Sequence, residues 1–247
     1  MLRAQVELAL RRPRSSTEHE QTLRQVALDT GRLISLAEQL LDLEQAAGSS
    51  TVLPPTTLRA ALDAAQTRGR ARLADATRSL EVLADVAGET AVAGTVEQAL
   101  LNLVDNAVLH GSGRVAVRTR LLHGTLLLEV SDEGTSLEPA FLPHAVDRFR
   151  RADPARSAPG SGLGLALVHA LVVRSGGELR LCTGAVPHRY PPLLQGLPGC
   201  AHPEVGVTAT LAVPTISPAR GLSFSPASGI ACEHLHVSPR DPSSAGP

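Results

Sequence analysis

Asn102 and Asn106 stand four residues apart in a stretch, residues 99–111, whose apolar positions Leu100, Val104 and Val108 also recur every fourth residue. That spacing predicts a helix with one apolar stripe, and it sets the two amides side by side on a single face. Asparagine costs a helix interior about 0.5 kcal/mol relative to alanine. Two of them stacked on an otherwise apolar helix suggest a use for their oxygens. A hard cation carrying phosphate oxygens would use them, because Mg²⁺ takes oxygen ligands and keeps several of its waters. A half-solvated polar edge would leave the same pattern, and this helix alone does not separate the two.

Two further stretches carry chemistry. Asp132 ends the mostly apolar stretch Leu126-Leu127-Leu128-Glu129-Val130-Ser131 and precedes Glu133 and Gly134. A strand would deliver its carboxylate to a fixed end, where it can accept a hydrogen bond from an exocyclic amine such as that of adenine. An ordinary Asp-Gly turn uses the same residues. In Gly160-Ser161-Gly162-Leu163-Gly164, glycines at alternate positions lead into an apolar helix. Free backbone amides and the positive end of a helix dipole make such a start a phosphate site. No Gly-Lys-Ser/Thr follows, so it is not a Walker-type loop, and residues 152–159 before it read as loop rather than strand, so it is not the dinucleotide fingerprint. With only 21 glycines in 247 residues, the cluster is not compositional noise.

The elements that must position these groups follow from periodicity. Residues 2–12 form a short amphipathic helix stopped by Pro13. Thr17 and Glu20 offer a capping box for a second helix that runs to Ala47 and ends at Gly48. Its seam of Leu23, Val26, Leu33, Leu36, Ala37, Leu40 and Leu43 needs a partner, which the shorter first helix covers only in part. Residues 48–55 read as a linker. Beyond it come a helix over Leu58–Leu73, a strand over 79–86, the asparagine-bearing helix and a hairpin of 114–122 and 125–131 turning at His123-Gly124. A helix over 163–174 and strands over Glu178–Thr183 and 205–213 complete the pattern. The predicted class is α+β: a helical hairpin (1–48), a linker (49–57), and a two-layer sandwich (58–213) with helices on one face of a mixed sheet. That sandwich carries an insert loop at 185–204, and a Pro/Ser/Gly-rich tail over 214–247 reads as disordered.

Bulk properties narrow the function classes. A net charge of −1 and no long basic run argue against nucleic acid as a partner. Aromatics at 2% and no Trp leave a core of Leu, Val and Ala. Three widely spaced cysteines argue against a disulfide framework and fit a reducing compartment. No apolar run reaches the ~18–20 residues of a membrane span, so the chain is expected to be cytoplasmic. Cys200 with His202 and Cys232 with His234 supply four zinc ligand types on paper, but their irregular spacing in low-order sequence argues against a zinc site.

Taken in order, the asparagine pair, the Asp-Glu-Gly turn and the glycine loop resemble the sensor histidine kinases of the GHKL ATPase superfamily, over residues 2–213. The family's N box corresponds to Asn102-Leu103-Val104-Asp105-Asn106-Ala107, its first glycine box to Asp132-Glu133-Gly134, its F box loosely to residues 146–151, and its second glycine box to residues 160–165. The resemblance implies ATP and Mg²⁺ as cofactors. Asn106 would hold Mg²⁺ with Asn102 in support, both as catalytic residues. Asp132 would bind the adenine amine, and Gly134, Gly160, Gly162, Leu163 and Gly164 would complete the nucleotide site under a lid at 152–159. It also implies a helical dimerisation and phosphoacceptor module at the N-terminus.

The departures are specific. His19-Glu20 lacks the proline that follows the family's phosphoacceptor His-Glu, and Met1 begins just downstream of where that motif would fall. Ser136 replaces a glycine of the first glycine box. Leu109 stands where a basic residue would contact phosphate, beside His110. Gyrase- and chaperone-type relatives carry a glutamate at the position of Asn102 to activate water, and an amide cannot act as that base. The resemblance therefore implies transfer of the γ-phosphoryl to a histidine, in trans on a partner chain or homodimer mate, and onward to a response-regulator aspartate. The alternative is a decayed or truncated kinase that serves as a nucleotide-binding and dimerisation module.

Overall fold

The computed structural model describes residues 15–48, 53–73, 78–152, 161–184, 186–199 and 206–216. The predicted first helix (2–12), most of the predicted lid with Gly160, both Cys-x-His pairs and the tail beyond Ile216 lie outside the described residues.

Helix α1 spans Ser16–Gly48. Its capping box is Ser15 with Glu18, not the predicted Thr17 with Glu20. The Ser15 amide and hydroxyl donate to Glu18 Oε2 at 2.8 and 3.0 Å, and the Glu18 amide donates back to Ser15 Oγ at 3.3 Å. The same Ser-x-x-Glu spacing occurs two residues earlier than expected, and Glu20 is taken instead by Arg24 one turn on, at 2.7 Å. Along the helix only the final turns are covered. Leu43 is buried and Leu36, Leu40 and Ala46 pack against the core, whereas Leu23, Leu28, Leu33, Ile34 and Leu41 are exposed.

The sandwich begins where the linker ends. Strand β1 (Thr56–Thr57) pairs antiparallel with β3 (Ala91–Val92), and between them lie α2 (Leu58–Leu73) and β2 (Leu80–Ala84). Then follow α3 (Gly94–His110), β4 (Val115–Leu122), β5 (Thr125–Asp132), a 3₁₀ turn (Pro139–His144), α4 (Gly164–Arg174), β6 (Glu178–Thr183), β7 (Val186–Tyr190) and β8 (Val207–Pro214). The main sheet runs β2-β4-β5-β8-β6-β7, parallel only between β2 and β4. Alternation places Val115, Val117, Leu126, Leu128, Val130, Leu179, Leu181, Ala209 and Leu211 in one buried cluster with the apolar stripes of α2, α3 and α4. Across the other face a polar row runs through register partners Arg180, Thr210, Glu129 and Arg118. The α+β sandwich with a mixed sheet is as expected.

The insert departs from expectation. Residues predicted as loop contribute β7, an edge strand on β6. A buried ion cluster holds it there. Glu178, fully buried, accepts from Arg180 Nε (2.8 Å), Arg189 Nη2 (2.7 Å) and the Leu194 amide (2.5 Å). Tyr190 adds a second pin, donating its phenol to the Leu142 carbonyl. The sheet also runs past the predicted boundary at 213: β8 reaches Pro214, and Ile216 bridges back to Ala91. Among the described residues no helix is long and apolar enough to cross a membrane.

Burial pushes the Glu178 carboxyl up, but hydrogen bonds from Arg189, the Leu194 amide and Arg180 outweigh it and hold the group below the usual glutamate range. Its stabilisation is therefore present at neutral pH and is lost as pH falls through that lowered value. Replacing Glu178 with Ala leaves two guanidinium groups without their shared acceptor, and should cost about 3–5 kcal/mol. Urea unfolding of the variant at neutral pH checks this, and a loss within experimental error would contradict the assignment.

Candidate functional site

Helix α3 is the spine of the site. Thr95, Val96, Ala99, Leu100, Leu103, Val104 and Ala107 are buried and fix its rotation, which leaves Asn102 and Asn106 half-buried on one flank. Asp105 between them pairs with Arg68 Nη2 at 2.7 Å and Arg72 Nε at 2.8 Å. Both arginines belong to α2, so the pairs set the angle of α3 against its neighbour more than they add stability. Asn102 donates its amide Nδ2 to the Gln98 carbonyl at 2.8 Å, which identifies the other end of that amide as the acceptor oxygen. Gln98 in turn donates to Asp42 of α1 at 3.2 Å.

Asn106 meets the glycine loop. A Cβ on Gly164 would lie 2.9 Å from Asn106 Oδ1 and 3.2 Å from Nδ2, so the amide rests against bare backbone at the first residue of α4. Gly162, at φ +71°, is equally constrained: a Cβ there would lie 2.7 Å from the carbonyl carbon of Phe149. The Phe149 amide donates to the Gly162 carbonyl at 3.0 Å. Leu163 is buried and anchors the turn, and no side chain caps the start of α4. Among the described residues, no side chain accepts from the amides of its first turn, which is the condition for an anion site. Ser161 accepts from the Leu163 amide at 3.2 Å and donates to Gln39 of α1, so the loop also touches the long helix.

Asp132 closes the other end. It is the last residue of β5, and its Oδ1 accepts the Gly134 amide at 2.7 Å. Glycines wall it in. A Cβ on Gly111 would lie 2.5 Å from Asp132 Cγ, one on Gly134 would lie 2.6 Å from Oδ1, and one on Gly206 would strike the Asp132 carbonyl oxygen. Burial raises the Asp132 carboxyl above the usual aspartate range, against the opposing pull of the Gly134 amide, the Arg78 charge and the Ser112 amide. His110, at the end of α3, is pushed down by burial and then by the charge of Arg151. Leu109 beside it is exposed.

The structure therefore packs Asn106 directly on Gly164, the residue that follows Gly162 and Leu163 in the loop, keeps Asn102 one turn away, and ties Asp132 and Gly134 to the far end of the same helix through Gly111. The donor set suits a hard cation, because side-chain amide oxygens are neutral oxygen ligands of the kind Mg²⁺ accepts. Sequence reading did not single out Gly111, Gly206 or Arg78, and it took in Arg151 only as the end of the loose F box. The one local signal was a glycine directly before a strand, at Gly206 before β8.

Residues 91–216 match the family described as histidine kinase-, DNA gyrase B-, and HSP90-like ATPase. Among curated proteins the chain is 36% identical over 207 residues to the probable sensor histidine kinase HK of Mycobacterium tuberculosis, covering 77% of this chain and 52% of that protein. It is 34% identical over 183 residues to the signal transduction histidine-protein kinase/phosphatase MprB of Mycolicibacterium smegmatis, covering 71% of this chain and 36% of that protein. The chain thus spans about half the length of these relatives or less. Among solved structures, the mycobacterial sensor histidine kinase MprB matches with a TM-score of 0.52 at 29% identity, over 66% of this chain and 98% of that one. The Acinetobacter baumannii histidine kinase AdeS shares the fold at 18% identity, with a TM-score of 0.62, over 87% of this chain and 94% of that one.

Gly206 bears the tightest of the contacts around Asp132, with a Cβ position 1.8 Å from the carbonyl oxygen and φ at +87°. Replacing it with Ala meets both a backbone clash and an unfavourable dihedral, and should cost about 2 kcal/mol or more. A thermal melt of the variant that superposes on the wild-type curve would show that the β5–β8 junction is looser than drawn.

Proposed function

Since this chain belongs to the histidine kinase-, DNA gyrase B-, and HSP90-like ATPase family, with an ATPase domain of the sensor histidine kinase type, we propose that it binds Mg·ATP and transfers the γ-phosphoryl group to a histidine. The single observation that supports this most is the packing of the Asn106 amide on the backbone of Gly164, which unites two motifs that lie far apart in the chain. In this reading Asp132 accepts a hydrogen bond from the adenine amine. Gly134, Gly160, Gly162, Leu163 and Gly164 approach the nucleotide through backbone, and Asn106 with Asn102 offers oxygens to Mg²⁺. When bound, the cation neutralises charge on the transferring phosphoryl group. The chain's own contribution is alignment: amide donors at the start of α4 and the fixed rotation of α3 hold acceptor and donor in line.

An amide at Asn102 cannot take a proton from water, so the site favours transfer over hydrolysis. The acceptor histidine is supplied in trans by a partner chain that carries the acceptor motif, α1 is the surface that brings such a partner or a second copy alongside, and a response-regulator aspartate receives the phosphoryl group next. Residues 1–48 act as the dimerisation and acceptor-type module and 58–213 as the catalytic domain. A second reading, a nucleotide-binding module without transfer, draws on the exposed Leu109 at a position where a cation would meet phosphate. Transfer of label to an acceptor-bearing fragment separates the two.

Binding of a fluorescent ATP analogue tests the site itself. Asp132→Asn should weaken ATP about tenfold or more, the scale of a hydrogen bond to a charged acceptor, and Asn106→Ala should abolish the benefit of added Mg²⁺. Only the carboxylate form of Asp132 serves the amine, so wild-type affinity should fall as pH drops through its raised pKa, starting above the ordinary aspartate range. Variants that bind ATP as the wild type does, with no pH dependence, would remove the basis of this reading.

A further inference from the structure

Arg78, two residues ahead of β2, gives its whole guanidinium to one target. Nη1 donates to the Val108 carbonyl at 2.7 Å, Nη2 to the Ala107 carbonyl at 3.0 Å, and Nε to the Gly113 carbonyl at 3.0 Å. Ala107 and Val108 lie in the last turn of α3, where carbonyls have no partner within the helix. The Ala107 carbonyl also receives the Gly111 amide at 3.0 Å. One planar fork thus ties the end of α3 to the turn that follows it, and it puts a positive charge at the negative end of the helix dipole. The only basic residue in that last turn is His110, which burial and Arg151 hold toward its neutral form.

The turn so fixed is the one that walls Asp132. Gly111 lies so close that a Cβ would come within 2.5 Å of the Asp132 Cγ, and Gly113 turns at φ +59° against Glu133. The Ser112 hydroxyl donates to the Glu133 carbonyl at 3.2 Å, and the Glu133 amide donates to the Ser112 carbonyl at 3.1 Å. A shift of the 111–113 segment therefore moves the carboxylate and its neighbours together. We infer that Arg78 is a positioning residue for adenine: by clamping the α3 terminus to the Gly111–Gly113 turn it sets the seat of Asp132, and so controls affinity for the base while leaving affinity for the phosphates alone. This rests on the proposed ATP site. It goes beyond that reading in assigning base selection to a residue outside every motif.

The test uses the full chain with Arg78→Met and Arg78→Lys, alone and combined with Asp132→Asn. Mg·ATP and magnesium tripolyphosphate serve as probes, and hydrogen exchange is read at the Gly111 amide. Arg78→Met should weaken ATP about tenfold, the scale of one well-placed charge-assisted hydrogen bond, with tripolyphosphate affinity unchanged. Arg78→Lys should recover little, because an ammonium does not span three carbonyls in one plane. Combined with Asp132→Asn, neither variant should weaken ATP further. Gly111 should lose exchange protection in both while the α3 interior keeps it. Equal losses for ATP and tripolyphosphate, losses that add to those of Asp132→Asn, or unchanged Gly111 protection would each overturn the inference. Should Arg78→Met fail to fold, Arg78→Lys carries the same comparisons. A wild-type chain that binds neither probe overturns the ATP reading instead, and the exchange data then still judge the clamp.

Discussion

The side-chain amide of Asn106 rests on the bare backbone of Gly164, and much else in the molecule is arranged around that contact. It requires α3 to present its polar flank to the start of α4, so the buried stripe of α3 from Val96 to Ala107 has to lock the helix in rotation. It requires α4 to begin with no side chain, so that its first turn lies open to whatever the amide holds. Leu163, buried just before that turn, keeps the loop from drifting. A methyl group at Gly164 would separate the two motifs by the width of the contact itself. The proposed Mg·ATP site is a consequence of this packing rather than of any single reactive side chain.

Helix α1 bears on the same contact from the other side. Gln39 meets Ser161 within the glycine loop, Asp42 meets Gln98 one turn before Asn102, Glu44 pairs with Arg148 at 2.8 Å, and the Gln45 carbonyl accepts from Arg174 at 2.8 Å. The exposed ion pairs contribute little each; burial of Leu43 with Leu36, Leu40 and Ala46 against the core supplies most of the attraction. The polar contacts fix register instead. They touch the elements that carry Asn102 and Gly162, so the position of the long helix and the geometry of the proposed site are linked through specific residues.

Where local pattern decides structure, the chain reads well. Leu58–Leu73 runs between its expected ends, and α4 begins one residue from expectation, because a clear apolar helical periodicity leaves little choice. That the asparagine, aspartate and glycine stretches belong together was legible for a related reason: the chemistry proposed for them needs those residue types at short spacing. β7 was not legible. Its sequence alternates poorly and contains Pro187, and what holds it is the buried Glu178 with arginines from two strands, a cluster that no window of sequence displays. Gly206 and Arg78 escaped for a similar cause, since each matters through a close approach to a segment distant in the chain. The capping box slipped by two residues because the same Ser/Thr-x-x-Glu pattern occurs twice in succession.

The central claim is that the oxygens of Asn106 and Asn102 face a magnesium-bound triphosphate. Nitrogen-15 spectra of the asparagine side-chain amides in the full chain test it most directly. On titration with Mg·ATP both resonances should shift, Asn106 the more strongly, and with ATP plus a chelator they should stay close to their starting positions. Saturable ATP binding that leaves both amide signals in place, with and without Mg²⁺, would contradict the account.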